Sequence, residues 1–594
     1  MPLIVVLWLV EFIRIHQMAS LQRTRVNGTT YWRIVESRRI HGKPRAIPIL
    51  QLGTADALLA RLTSAAPGGS LRVRSYLHGG VAALTAIARR LQIAELIDRH
   101  VPVLSTPDTA KRPSVGQTMV LAACNRALRP RSKRGWASWA EGTSLAHLNP
   151  GLKTKSLTSQ FFWEQMNRIS LESLALIERD LTKLVVADLG ISLDTLFYDT
   201  TNFFTYIDST NTHCDLPQRG HSKQKRADLR LFSLALLVSR DGQIPLCTQI
   251  YPGNRVDATQ FPPALTLIRQ RLADLSLTLQ DVTLVYDRGN LSQKNQQTID
   301  AATVGYVSAL VPAQHRDLMA IPLSEYQEIQ TGRLKGLRAH RTTKTVWGAE
   351  RTVVLYLSET LRAGQRRGLD QALARAQKAL ISWKERLEKK RSGSRSSRTT
   401  DRRIDRILSA QFLKQVLTIT YDASKTGANR LHWVINQAAY RHLCDDYFGK
   451  RILITNRETW STEEIIAAYR GQSQVESTFK QVKDDEHFAI RPQFHWTDQK
   501  IHVHAFICLV ALLLGRVIEQ QARKQGRTQS LSRVMDELDT IRLAMILTPS
   551  GKRAGRPRCQ WMLEQTEPKT LALFTSLVPD SPPFVYTQAL TPSP

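Results

Sequence analysis

Residues 193–201, LDTLFYDTT, and residues 281–287, DVTLVYD, are two β-forming runs that each reach an aspartate. Between them, LFSLALLVS (231–239) and PLCTQIYPG (245–253) read as two more strands, and PALTLIRQRLADL (263–275) as a helix. After Asp287 a helix is expected from about Ser292, then a strand at GYVSALV (305–311). Three strands in succession, followed by alternating helix and strand, predict a mixed α/β sheet. Strand ends in such sheets gather functional groups, which makes Asp199 and Asp287 candidates. For either acid alone a turn or cap role is the simpler reading. Two in the same setting shift the balance.

The surroundings are strongly basic. Lys plus Arg total 82 against 51 Asp plus Glu, a net charge of +31 in 594 residues, with a pI near 10.2. That excess points to a polyanionic partner, nucleic acid before membrane. The alternative is a basic surface without specificity. Six cysteines with wide spacing and no CxxC pair argue against a disulfide framework or a zinc ribbon, and fit a reducing compartment.

The chain divides by pattern. Residues 1–17 are a doubtful leader, apolar only to about Val10, and translation is expected to start at Met18. Residues 18–75 alternate around Asn27-Gly28 and His41-Gly42, as short hairpins do. Residues 76–190 carry helical periodicity broken by basic turns, which suits a DNA-binding or dimerisation region as well as a plain packing domain. Residues 191–318 hold both aspartates. Residues 319–455 break the strand–helix rhythm with long charged helices and a Ser/Arg stretch, which reads equally as a solvated linker or a DNA-contacting loop. Residues 456–525 begin with an S-x-x-E capping box at Ser461 and Glu464. They end in IHVHAFICLVALLLGRVIEQQ (501–521), expected as a buried core helix because its wholly apolar stretch is too short to span a bilayer. Residues 526–594 form the C-terminal region.

Within 469–487, YRGQSQVESTFKQVKDDEH, Glu476 stands among bases and amides. On one continuous helix Tyr469, Gln472, Glu476, Phe479, Lys480 and Lys483 share roughly a third of the circumference. A face mixing aromatic, acid and base suits an active site meeting a phosphate backbone. Three carboxylates can hold two divalent cations, which activate a water or 3′-hydroxyl and stabilise the leaving oxygen in phosphodiester displacement. Hard oxygen ligands select Mg2+ or Mn2+. Tyr469, Lys480 and Lys483 would then meet DNA phosphates.

The ordered set Asp199, Asp287, Glu476 resembles the acidic triad of the DDE transposases. More narrowly, the chain resembles bacterial insertion-sequence family four, in the branch named after insertion sequence 1634. GHSKQKRADLRLFSLALLVSRDGQIPLCTQIYPGNRVDAT (220–259), VYDRGNLSQKN (285–295), VGYVSALVPAQH (304–315) and RPQFHWTDQKIHVHAFICLVALLL (491–514) carry the likeness. The signature Tyr, two residues, Arg, three residues, Glu, six residues, Lys reads here as Tyr469, Gln472, Glu476, Lys483, with Gln472 at the Arg position. The resemblance implies an RNase H-like catalytic core, a mixed five-stranded sheet with helices, interrupted by a long β-rich insertion before Glu476 and preceded by a helical DNA-binding region. It implies metal ligation and catalysis by Asp199, Asp287 and Glu476 with two Mg2+ or Mn2+ ions. It assigns phosphate contacts to Tyr469, Gln472, Lys480, Lys483 and Arg288. It implies cut-and-paste transposition on double-stranded DNA, the element's inverted repeats and a target, by a homodimer in the bacterial cytoplasm at the nucleoid, without a membrane.

A DNA-binding protein without catalysis, a repressor or a decayed copy, is the alternative. A carboxylate-dependent sugar hydrolase gives no reason for the charge. His213, Cys214 and His221 match no common zinc spacing and read as a loop. Lys552, Arg553 and the GRPR at 555–558 read as a basic tail, and His502 and His504 as structural residues.

Overall fold

The computed structural model describes residues 19–26, 29–40, 43–54, 56, 72–102, 112–208, 210–220, 226, 228–330, 332–389, 397–548, 558–579 and 585–589. The leader and Met18, the Asn27-Gly28 and His41-Gly42 turns, His221, Lys552, Arg553 and most of the GRPR tail lie outside them. The chain forms two compact units.

One unit joins the two ends of the chain, 1–79 and 538–594, with 142–144. Antiparallel strands Ala19–Val26, Thr29–Ile40 and Lys43–Thr54 stand where hairpins are expected. A second sheet, four-stranded, has the order 585–589, 558–563, 542–548, 72–77. Sequence patterning placed 72–75 with the N-terminal hairpins, 76–77 at the start of the helical region, and 542–563 in a separate C-terminal region. Pairing of Arg72–Leu77 with Arg542–Thr548 joins them instead.

The other unit holds the rest, 80–141 and 145–537. Its sheet has nine strands among the described residues, in the order 327–328, 338–346, 349–357, 450–455, 305–309, 283–286, 195–205, 230–239, 245–252. Strands 195–205, 230–239 and 245–252 form an antiparallel meander. Strand 283–286 runs parallel to 195–205 on its other side, and 305–309 runs parallel to 283–286. Parallel neighbours need a crossover, supplied by helices Asp257–Asp274 and Gln293–Ala301. Every residue of Leu231–Ser239 is buried because helices cover both faces, which explains its unbroken apolar run.

The expected five-stranded sheet is thus continued by four more strands, all from the insertion. That insertion was expected to be β-rich, yet its largest element is the helix Glu359–Lys389. This helix and the hairpin Leu417–Tyr421 with Leu431–Ile435 enclose a core of their own around Leu380, Trp383, Val416 and Phe448. The apolar periodicity of 369–383 is the cause: Leu369, Ala372, Leu373, Ala376, Leu380 and Trp383 fall on one helix stripe.

Helix Asp498–Lys524 is long and apolar enough to cross a membrane, and 94% of its most apolar 18-residue window is buried inside the fold. It packs on helices Val115–Leu128, Ser159–Asn167 and Leu171–Leu189, which lie in the expected helical region. His504 is buried and pairs with the carbonyl of Ile490 at 2.8 Å, the structural role expected of it.

Candidate active site

Two paired strands bring the aspartates together. In the parallel ladder Tyr198 lies opposite Tyr286, so Asp199 and Asp287 are the next residues on neighbouring strands. Neighbouring strands lie about 4.8 Å apart. The tyrosines point the other way and pack on helix Asp257–Asp274, with Phe261 rings 5.3 Å from Tyr198 and 5.0 Å from Tyr286. Alternation along a strand therefore turns Asp199 and Asp287 to the opposite face. Asp199 accepts the backbone N–H of Thr200 at 2.8 Å.

Asp287 leads into a one-turn helix, Arg288–Asn290, held from below. The side-chain amide of Asn295 donates to the carbonyls of Asn290 and Ala258, both at 2.8 Å. Asn295 in turn begins a helix capped by Ser292, which accepts its N–H at 3.2 Å. The sequence signal for this support was S-x-x-N after the aspartate, and the reading above passed over it.

The Glu476 segment differs from expectation. Instead of one continuous helix there are two, Thr462–Arg470 and Ser473–Gln481, joined through Gly471 and Gln472. The first begins with the expected capping box: Ser461 Oγ accepts from Glu464 N at 3.1 Å and Glu464 Oε2 accepts from Ser461 N at 2.7 Å. The joint is set by contact with the Asp199 strand. A Cβ on Gly471 would stand 2.9 Å from Cε1 of Phe197 and closer still to Cζ, so only glycine lets the backbone come this near.

Twelve residues on, Lys483 reaches the same strand. Its ammonium donates to Thr201 Oγ1 and lies 5.2 Å from the ring centre of Phe203. Phe197, Asp199, Thr201 and Phe203 alternate onto one face of that strand. Gly471 meets it on one side of Asp199 and Lys483 on the other, and Glu476 lies between them in sequence. Glu476 is exposed. Among the described residues, no three His, Cys, Asp or Glu side chains stand close enough to hold a metal ion. The fold brings the two aspartates side by side; it does not gather all three acids into one ligand cluster.

The expected DNA-contacting residues separate into two groups. Lys480 and Arg288 are exposed. Tyr469 and Gln472 are each only 7% exposed, which corrects the expectation that both reach out to phosphate. Helix Thr462–Arg470 packs on strands 283–286, 305–309, 349–357 and 450–455, which covers Tyr469. The Tyr469 hydroxyl donates instead to Asp287 Oδ1 at 3.4 Å. Burial, and then the Asp287 carboxylate, push the Tyr469 phenol well above its usual range, so it keeps its proton as a donor. Arg470 points elsewhere, with its guanidinium 5.3 Å from the ring centre of Tyr356.

No curated protein matches the chain. A cryo-EM structure of a piggyBac transposase synaptic complex with hairpin DNA is similar at a TM-score of 0.36 and 7% identity, covering 77% of this chain and 78% of that one. That likeness is too slight to identify a fold. The family comparison is decisive: residues 204–514, more than half of the chain, match the transposase DDE domain, a span that includes Asp287 and Glu476 and begins five residues after Asp199. The chain belongs to the DDE transposase family, whose members are enzymes of DNA transposition.

Proposed function

We propose that the protein is a cut-and-paste transposase of the insertion-sequence family four, 1634-type branch, with Asp199, Asp287 and Glu476 as its catalytic carboxylates. The register that carries this reading brings Asp199, in the middle of strand Thr195–Thr205 and not at the strand end expected of it, beside Asp287, where the parallel pairing of 195–198 with 283–286 stops. The strand order supports an RNase H-like core: an antiparallel meander with two parallel strands added beside its first strand. The donor set is all carboxylate oxygen, which fits a hard cation. When bound, two Mg2+ or Mn2+ ions would supply activation of a water or 3′-hydroxyl and stabilisation of the leaving oxygen.

The chain's own residues do the rest. Asp199 and Asp287 would hold the cations, with Glu476, on the helix that spans the Asp199 face, as the third oxygen donor. Tyr469 fixes the orientation of Asp287. Lys483 ties the Glu476 helix to the strand through Thr201. Lys480 and Arg288 bind backbone phosphates of double-stranded DNA, first the inverted repeats and then the target. The working form is a homodimer, each subunit holding one element end, in the bacterial cytoplasm at the nucleoid.

The test uses inverted repeats found just outside the reading frame as labelled duplexes. Asp199→Ala, Asp287→Ala and Glu476→Ala should each abolish Mg2+-dependent cleavage and leave end binding within a few fold. Cleavage surviving in any of the three would overturn the assignment. A second reading, a DNA-binding protein that has lost catalysis, is favoured by Gln472 at the Arg position. Wild-type protein that shifts end DNA and never nicks it, with any divalent ion, would establish that reading.

A further inference from the structure

Beyond the acid pair, the loop Gly332–Gly336, GRLKG, carries charge that the site above does not use. It joins strand Gln327–Glu328 to strand Arg338–Val346. Both glycines have positive φ, +75° and +83°. The N–H of Gly336 donates to the carbonyl of Ile329 at 2.9 Å, and the N–H of Ile329 to that of Leu337 at 2.9 Å. Leu334 is buried and pins the loop, so Arg333 and Lys335 on either side of it are held out into solvent. These two, with Arg338 and Arg470, line a cavity of about 310 Å³. Glu359 is the one acid in its lining, 3.8 Å from Arg338. Four cations line the pocket against that one lining carboxylate, with Glu463 against Gly332 and Glu328 near Gly336 at the loop's edges, so the balance stays positive.

Its position ties it to the chemistry. Arg470 follows Tyr469, whose hydroxyl is on Asp287. The Arg470 guanidinium is held over Tyr356 and not in the helix face that carries Glu476. The pocket therefore shares helix Thr462–Arg470 with the acid pair but lies on the side of the insertion strands, with strands 450–455 and 305–309 between that of Tyr356 and that leading to Asp287.

We infer that Arg333, Lys335, Arg338 and Arg470 form a phosphate-binding pocket that grips the DNA backbone at the insertion strands, apart from the acid pair. The inference rests on the proposed function for its DNA, and it places a phosphate contact on the insertion while Gln472 is buried. Guanidinium groups suit phosphate oxygens through paired N–H donors, and the loop presents its cations without folding them down.

The experiment is a salt series on the full chain with a fluorescein-labelled 30-base-pair duplex of unrelated sequence, without divalent ion. Arg333→Ala/Lys335→Ala is compared with wild type and with Arg375→Ala/Lys378→Ala, an exposed pair on helix Glu359–Lys389 that removes the same charge elsewhere. The pocket variant should lose about tenfold in affinity at 0.1 M salt, and its log K against log salt slope should fall by about 1–2, as expected for lost phosphate contacts. The control should stay within about twofold. Equal behaviour of the two variants would overturn the inference. So would inorganic phosphate protecting the wild-type loop from trypsin while the duplex isotherms remain identical, since the pocket would then serve free anions. Because no cleavage is measured, an inactive acid triad would sink the transposase reading and leave this result standing.

Discussion

The Tyr469 hydroxyl donates to Asp287 Oδ1 across 3.4 Å, so a residue of the helix before Glu476 holds the second aspartate in place. Tyr469→Phe keeps the ring and removes the bond. One such hydrogen bond contributes about 1 kcal/mol, so cleavage should slow about fivefold with little change in Tm. The pushed-up phenol stays protonated through neutral and mildly alkaline pH, so the wild-type to variant ratio should not change between pH 7 and 9. A single-turnover rate equal to wild type would remove Tyr469 from the site.

Gly471 packs so closely on Phe197 that a Cβ there would stand 2.9 Å from Cε1 of the ring. Gly471→Ala forces the helix joint off the strand. Overpacking of this kind costs about 1–3 kcal/mol, read as a lowered urea midpoint. Cleavage should fall with it, because Glu476 moves with the joint. Phe197→Leu makes room, so the double variant should be less destabilised than the sum of the two single changes. Strict additivity would show that the two residues do not meet.

Arg351 ties the insertion to the core. It is 4% exposed and donates to both carboxylate oxygens of Asp300, at 3.0 and 2.5 Å, and to the Tyr306 hydroxyl at 2.8 Å. Asp300→Ala leaves that guanidinium buried without its acid. Loss of one partner of a buried pair costs 3–5 kcal/mol; with Asp300 itself partly exposed, about 2–3 kcal/mol is expected in urea unfolding. Arg351→Met/Asp300→Ala together should recover part of the loss.

Lys133 is held among groups that resist its charge. Its ammonium donates to His495 Nε2 and lies 5.1 Å from the ring centre of Trp163. Burial first, then Arg126 and Lys500, lower its pKa to about 7. His495 is itself kept neutral by burial, with His504 and the same cations adding to the effect, and so can accept. Unfolded, the lysine titrates near 10.4. Between about pH 7 and pH 10 the unfolded chain binds more protons, so stability rises with pH through that window. Lys133→Met should flatten the rise, seen by comparing Tm at pH 7 and pH 9.5. The same slope in both proteins would contradict the depressed pKa.

The sequence by itself determined the elements and their chemistry. Apolar runs ending in Asp199 and Asp287, the capping box at Ser461, and the apolar stripe of 501–521 are local patterns, and local patterns survive in one dimension. The net charge and the transposase resemblance came from the same source. What only the tertiary structure decided depends on contacts between distant residues. Strand pairing sets Asp199 beside Asp287, 88 positions apart, and no periodicity encodes a register. Contact with Phe197 breaks the 469–483 helix at Gly471, where a helical wheel drew one continuous face. Packing on the sheet buries Tyr469 and Gln472, while Lys480 of the same segment and Arg288 of the turn after Asp287 are exposed. The ends of the chain are joined by pairing of Arg72–Leu77 with Arg542–Thr548, a partnership that hydrogen bonds across the 464 residues between Leu77 and Arg542 define and composition does not.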